Sequence, residues 1–135
     1  MAAELRGSCL CGAVTYAVPD AFAYAFYCHC GQCRSATGAA AKPFAGVPLA
    51  QVTLVQGHEH VLRHGGTGAH DVHCGRCGSL LWSVVRDGAW AHVTLGTLVD
   101  SPSIRPSAHI FVGSKAPWDV IADGLPCFDG LPQPG

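Results

Sequence analysis

The chain is a succession of short segments in which apolar side chains alternate with smaller or polar ones. Residues 13–18 place their large apolar side chains on one face, and residues 22–27 alternate in the same way. A period of two is typical of strands that bury one face. The pattern therefore predicts two early strands, interrupted at Pro19-Asp20.

The second half of the chain contains the clearest strand signal. Residues 80–85 and 90–95 flank Arg86-Asp87-Gly88, and Asp-Gly between two apolar segments is typical of a hairpin turn. Residues 71–73 lead into Cys74, and residues 109–112 are predicted as the last strand.

The middle of the chain has weaker patterns. Residues 52–54 and 61–63 are predicted to pair across a turn at Gly57, and residues 34–41 are predicted to form one or two helical turns. Two prolines, Pro43 and Pro48, indicate a loop, because proline cannot donate a ladder hydrogen bond. The fold class that follows is mainly β, with short antiparallel strands.

Length and composition indicate one domain. The chain has 135 residues, of which 49% are hydrophobic and 13% charged. We assign residues 1–130 to a single domain and residues 131–135 to an irregular tail, since the end is rich in Pro and Gly. The net charge is −1 and no basic run is present, so neither nucleic acid nor an anionic membrane is expected as a partner.

The first residues, Met1 to Gly7, contain no apolar segment of the kind found in signal peptides. No apolar run is long enough to span a bilayer. We therefore expect a cytoplasmic protein, and in a reducing compartment clustered cysteines are more often metal ligands than disulfides.

Seven of the eight cysteines fall into three tight groups, which are Cys9-Leu10-Cys11, the run Cys28-His29-Cys30-Gly31-Gln32-Cys33, and Cys74-Gly75-Arg76-Cys77. Structural zinc takes four protein ligands, whereas catalytic zinc takes three and keeps one open position. Joining the outer groups gives a closed four-thiolate site and leaves three cysteines for an open one. We therefore expect two zinc ions per chain, one structural at Cys9, Cys11, Cys74 and Cys77 and one catalytic at Cys28, Cys30 and Cys33.

The middle site has a competing interpretation, in which a histidine closes it as a second structural site. If residues 28–30 are extended, Cys28 and Cys30 share one face and His29 points to the other, so His29 is not expected to be a ligand. His73, before Cys74, is another candidate ligand, although a strand residue is the preferred interpretation. The remaining histidines of the middle segment, His58, His60, His64 and His70, are interpreted as solvated loop residues, and Cys127 as a small buried or loop residue.

The chain resembles the glutathione-dependent formaldehyde-activating enzyme family. The resemblance lies in the three cysteine groups, in Gly7-Ser8 before the first of them, and in the segment from Ile104 to Trp118. That family also includes the centromere protein V type of domain. The resemblance implies a zinc-stapled β-tent fold and the same division into a structural and a catalytic zinc. It further implies a carbon–sulfur lyase that forms S-hydroxymethylglutathione from glutathione and formaldehyde.

Three functions remain open from the sequence. The first is a zinc-dependent, carbon–sulfur lyase-like enzyme that acts on the thiol adduct of a small aldehyde, with glutathione as the leading thiol partner. The second is a non-catalytic, zinc-stabilised binding module in which every cysteine is structural. The third is a redox or metal-storage role for the middle thiols.

Two further sets of residues are candidates for the site. His29, His109 and Lys115 are possible general acids. Phe44, Trp118 and Phe128 are candidate walls of a substrate pocket, although aromatic side chains are more often part of a core.

Overall fold

The computed structural model describes residues 2–132, which form ten short strands, one α-helix and four 3-10 helices. The strands are β1 (Glu4–Ser8), β2 (Thr15–Pro19), β3 (Tyr24–Cys28), β4 (Lys42–Pro48), β5 (Thr53–Gln56), β6 (Val61–Gly65), β7 (His70–Cys74), β8 (Leu80–Val85), β9 (Trp90–Thr94) and β10 (His109–Ile110). The helix α1 (Gly31–Thr37) follows β3. The protein is mainly β, as the sequence predicted. Within the described residues, no helix is long and apolar enough to cross a membrane.

The strands form two sheets. The smaller sheet has the order β1-β2-β5, and the larger one has the order β10-β3-β4-β9-β8-β7-β6. All neighbours are antiparallel except β10 and β3, which are parallel over two residues. Five of the seven cysteines in the groups therefore lie at or just after the ends of β3 and β7 in the larger sheet.

The main core lies between the two sheets. Tyr16 of β2 is 1% exposed and packs edge-on against Trp82 of β8, with ring centroids 5.3 Å apart. Buried valines of both sheets belong to the same cluster, among them Val18, Val47 and Val93. Burying such side chains contributes roughly 1.5–3 kcal/mol each, so this layer is the main apolar contribution to stability.

The other face of the larger sheet carries a second, smaller cluster. Cys28, Phe44 and Ile110 are buried there, on three neighbouring strands. Strand alternation puts Val47 of β4 into the main core, while Phe44 of the same strand faces this second cluster. The middle cysteine group is thus built against an apolar layer of its own.

The hairpin of β8 and β9 agrees with the prediction, with Val85 opposite Trp90. Other predicted features were wrong. Residues 52–54 and 61–63 do not pair with each other, since β5 joins β2 and β6 joins β7. The helix begins three residues earlier than predicted, because Cys30 caps it by accepting the backbone N–H of Cys33.

The segment predicted as a loop between Pro43 and Pro48 is instead the strand β4, in the interior of the larger sheet. Tyr27 donates its N–H to Ala108 and Leu49 donates to Ala89. In the alternating pattern of an antiparallel ladder, Pro43 then faces away from β3 and Pro48 away from β9. Pro43 faces the β9 side, where the pairing with β9 begins only at Phe44. Pro48 faces the β3 side, where the pairing with β3 reaches only to Gly46. Neither proline removes a ladder hydrogen bond, which is why both are tolerated.

The tail contains no regular helix or strand from 124 to 132, apart from a single bridge between Cys127 and His109. Of the predicted tail, residues 133–135 lie outside the described part of the chain.

Candidate metal centres and substrate site

The outer cysteines come together although 63 residues separate Cys11 from Cys74. Cys9 and Cys11 lie in the turn between β1 and β2, Cys74 ends β7, and Cys77 lies in the turn before β8. The four Sγ atoms all lie within 4.8 Å of one another. This cluster ties the smaller sheet to the larger one, a link that no strand pairing in the described residues provides.

The donor set of the outer cluster is suited to a soft metal ion. Cys9 accepts the N–H of Val14 at 3.2 Å, and Cys74 accepts that of Arg76 at 3.4 Å. Such N–H donors stabilise thiolates, the form of cysteine that binds metals. Hydrogen bonds from the hydroxyl and N–H of Ser79 lower the pKa of Cys77 to about 5. These observations fit a site with four thiolate ligands.

The middle cysteines form the second cluster. Cys28 ends β3, Cys30 caps α1 and Cys33 lies in its first turn. Their three Sγ atoms also lie within 4.8 Å of one another. A strand end followed by a helical turn brings three thiols to one point within six residues, so little chain has to be ordered to form this cluster.

The ionisation of the middle thiols indicates that they need a cation. A hydrogen bond from the Cys33 thiol lowers the pKa of Cys28 to about 6, and the same contact raises the pKa of Cys33. One thiolate is therefore favoured and the next is opposed by like charge. A divalent metal ion would relieve this repulsion, so the residues present fit such an ion.

His29 is not part of the middle cluster. Its side chain is 1% exposed, and its Nε2 atom lies 2.8 Å from Nδ1 of His109. Nε2 of His109 lies 2.7 Å from a carboxylate oxygen of Asp123. His29 thus packs behind the cluster, on the side expected from the extended geometry of residues 28–30.

A cavity of about 420 Å³ opens beside the middle cluster, and we call it the aromatic cavity. Tyr24, Phe26 and Phe44 form its wall on the face of the sheet opposite the main core. Gly46 is needed there, because a Cβ at this position would lie 2.3 Å from the ring of Tyr24. Cys28 and Cys33 of the middle cluster also line this cavity, which places the thiols in contact with an apolar binding space.

A larger cavity of about 690 Å³ lies on the other side of Cys33, and we call it the polar cavity. His64, His70, His73 and Asp71 line it. His64 and His70 are strand residues of β6 and β7, so their interpretation as loop residues was wrong. The two cavities share Cys33, Lys42 and His92. The middle cluster is therefore reached from two sides.

Lys42 is a buried cation beside the middle cluster, and this role was not predicted. It is 4% exposed and pairs in register with Cys28 across two strands. Its ammonium donates a 2.6 Å hydrogen bond to Ser83, whose hydroxyl donates to Asp71 at 2.6 Å. Burial lowers the pKa of Lys42, and nearby Cys33, Asp71 and Cys28 oppose that shift.

His92 and Arg86 were also not recognised as site residues. Tyr24 and His92 are joined by a 2.7 Å hydrogen bond between the phenol oxygen and Nε2. Burial, with repulsion from Lys42 and Arg86, lowers the pKa of His92 to about 4. The ring is therefore neutral near pH 7 and can accept the phenol proton in this hydrogen bond.

The predicted general acids lie away from the cavities. His29 and His109 bind each other, and the Lys115 ammonium donates to the backbone carbonyls of Ala116 and Asp119. None of the three lines either cavity. Lys115 and the two histidines therefore have structural contacts that account for them.

The predicted aromatic walls are correct in part. Phe44 lines the aromatic cavity, whereas Trp118 is 70% exposed and lines neither cavity. Phe128 packs against the cluster of Cys28, Phe44 and Ile110 without lining the cavity itself. Cys127 is exposed and its thiol contacts the carbonyl of Leu125.

Residues 4–114 match the family model described as "Glutathione-dependent formaldehyde-activating enzyme". The chain belongs to this family. The match includes both cysteine clusters, the aromatic wall and the hairpin that carries Arg86.

Two individual proteins are similar to this family member. A Halomonas elongata protein named "Putative glutathione-dependent formaldehyde-activating enzyme" is 32% identical over 142 residues, which cover 96% of this chain and 89% of the relative. The crystal structure of a Rhodobacter sphaeroides protein superposes with a TM-score of 0.58 at 28% identity. That similarity covers 75% of this chain and 91% of the Rhodobacter chain.

Proposed function

We propose that the protein catalyses the addition of a thiol to a small aldehyde at the middle cysteine cluster, with glutathione and formaldehyde as the leading pair. Membership of the family and the name of the Halomonas relative support this reaction. The observation that carries the proposal is the position of the middle cluster at the junction of two cavities. No outer cysteine lines either of these cavities.

Zinc is the ion that we assign to both clusters. Cys9, Cys11, Cys74 and Cys77 would hold a structural zinc, and Cys28, Cys30 and Cys33 would hold a catalytic one. When bound at three thiolates, zinc supplies a fourth position for a substrate thiol and favours its ionised form.

The reaction joins two molecules without loss of atoms. The thiol sulfur bonds to the carbonyl carbon, the π electron pair moves onto the oxygen, and the proton that left the thiol ends on that oxygen. Holding the two reactants together removes much of the entropic barrier of such a bimolecular step. We assign the thiol to the aromatic cavity, because Cys28 and Cys33 both line it, and the aldehyde to the polar cavity, which reaches the cluster at Cys33.

The residues of the chain support this arrangement by charge and by exclusion of water. The Lys42 ammonium offsets negative charge among the middle cysteines, from the register position opposite Cys28. Tyr24, Phe26 and Phe44 exclude water from one side of the thiol sulfur. An electrostatic interaction in such a dry site is stronger than the same interaction in water.

Exchange NMR spectroscopy of glutathione mixed with formaldehyde tests the proposal. Zinc-loaded protein should increase the rate of exchange between glutathione and its hydroxymethyl adduct in proportion to protein concentration. Cys33→Ser should lose the acceleration, and Cys127→Ser should retain it because this thiol is exposed and outside both clusters. An exchange rate that wild-type protein leaves unchanged would exclude this function and favour a binding module.

A further inference from the structure

We propose that Arg86 binds a carboxylate of the thiol substrate, so that the aromatic cavity selects an anionic thiol over a neutral thiol of the same size. The inference rests on the proposed function for the location of the thiol sulfur. It goes further by naming the group at the other end of the ligand and the residue that recognises it.

The charge of the aromatic cavity carries the first step. Its described lining contains two cations, Lys42 and Arg86, and no Asp or Glu. His92 is neutral near pH 7, since its pKa is lowered to about 4. Cys28 and Cys33 lie in this wall as the proposed zinc ligands, and the remainder is aromatic and aliphatic. A ligand that complements this lining has an apolar body and negative charge.

The two cations have different surroundings. Lys42 is buried, donates to Ser83 and lies near the cysteines. Arg86 is exposed, and the ion pairs found in residues 2–132 do not include it. The hydrogen-bond donors of the guanidinium are therefore available to a group that does not belong to the described chain.

Two aromatic rings hold the Arg86 guanidinium at the cavity. Its central carbon lies 4.9 Å from the ring centroid of Trp90 and 5.4 Å from that of Tyr24. These rings stack on each other at 5.8 Å. Contact with a ring face favours the cation and limits its motion, which lowers the entropic cost of binding a ligand. A planar guanidinium can then bind a carboxylate through two parallel hydrogen bonds.

The backbone at Arg86 is the second, independent observation. Arg86 has φ 54° and Asp87 has φ 56°, followed by Gly88 at φ 87°. Glycine, asparagine and aspartate are the usual residues at left-handed turn positions, and another residue there is strained. This turn tolerates an arginine where glycine would be less strained. An arginine at this position supplies the side chain that contacts Trp90 and Tyr24, which a glycine would lack.

Matched pairs of thiols provide the test. Isothermal titration calorimetry of zinc-loaded protein would compare 3-mercaptopropionate with 3-mercaptopropanol, and 6-mercaptohexanoate with 6-mercaptohexanol. Wild-type protein should bind at least one carboxylate about tenfold more tightly than its alcohol, since a charge-assisted hydrogen bond at an exposed site is partly screened. Arg86→Gln should bind both members of that pair alike, and the preference of wild-type protein should decrease with added salt. Arg105→Gln removes an exposed charge that lines neither cavity and should retain the preference.

The outcomes separate this inference from the proposed function. Equal binding of acids and alcohols by wild-type protein would overturn the role of Arg86 and leave thiol binding intact. A preference that survives in Arg86→Gln would overturn it as well, and would indicate Lys42 as the anion-binding residue. Failure of all four thiols to bind would overturn the inference, whereas the exchange measurement with glutathione decides the proposed function separately.

Discussion

His29 and His109 are joined by a hydrogen bond of 2.8 Å behind the middle cysteine cluster, 80 residues apart in sequence. Asp123 accepts a hydrogen bond from Nε2–H of His109, which leaves Nδ1 of His109 as an acceptor for the Nε2–H of His29. The segment that carries Cys28 and Cys30 is thereby fixed to the C-terminal part of the chain. His29 orients these cysteines from the opposite side of the backbone and is not one of the candidate metal ligands.

Replacing His109 with Phe should therefore destabilise the protein. The aromatic ring can still stack on Tyr27, which lies 4.9 Å from the His109 ring. The buried N–H of His29 would lose its acceptor, at a cost of about 1–3 kcal/mol in the free energy of unfolding. Urea denaturation of metal-loaded protein measures this, with the exposed His58→Ala as a control. A stability equal to that of wild type would show that the pair does not fix the segment.

Cys74→Ser should prevent stable folding. The Cys74 side chain is fully buried and belongs to the cluster that joins the two sheets. Structural zinc contributes on the order of 10 kcal/mol in small zinc-binding peptides, more than a small domain can spare. Solubility, circular dichroism and metal content measure the loss, and Cys127→Ser should behave as wild type. A soluble Cys74→Ser protein with normal melting and zinc content would refute the structural assignment.

Cys33→Ser should lose one zinc per chain and keep the fold. The middle cluster lies within one strand end and one helix, and the main core between the sheets does not include it. Metal analysis should therefore fall from two zinc ions to one while the far-UV circular dichroism spectrum stays unchanged. Collapse of the spectrum would mean that the middle site is structural too.

The His92 imidazole should titrate near pH 4. Burial disfavours its charged form, and Lys42 and Arg86 repel it, so its pKa is about 4 in the folded chain and 6.5 in the reference state. Between these values the unfolded chain binds a proton that the folded chain does not. The folded state therefore loses stability as the pH falls through this range, by on the order of 3 kcal/mol at its lower end.

NMR titration of the His92 ring protons measures this pKa directly. The resonance should keep its neutral chemical shift at pH 5.5, and Lys42→Met should raise the midpoint because one repulsive charge is removed. A midpoint near 6.5 in wild-type protein would show that the ring is solvated, and the assigned wall of the aromatic cavity would be wrong.

The strands with clear alternation and the hairpin turn could be predicted from sequence, because both signals are local. The grouping of the cysteines could be predicted for the same reason, since short spacing brings thiols together whatever the remainder of the chain does. The strand β4 could not be predicted, because its two prolines are tolerated only at the positions where the pairing with β3 or β9 has ended. That information lies in other segments of the chain.

The cavity residues were missed for a related reason. From the sequence alone Lys42 would be interpreted as a surface lysine. Its pairing with Cys28 and its burial show that it is a buried cation. The sequence indicates only that Arg86 precedes an Asp-Gly turn, whereas the structure shows its side chain in contact with the rings of Tyr24 and Trp90. Sequence spacing identifies ligands that are neighbours in the chain, and the tertiary fold determines which distant residues face them.

The central claim is that the middle cluster holds zinc with three cysteines and takes a substrate thiol as the next ligand. X-ray absorption at the zinc edge measures sulfur coordination in the holo protein with and without glutathione. The account predicts about 3.5 sulfur atoms per zinc on average without the thiol and about 4 at saturation, from one closed and one open site. The same sulfur count in both samples, at saturating glutathione and two zinc ions per chain, would contradict it.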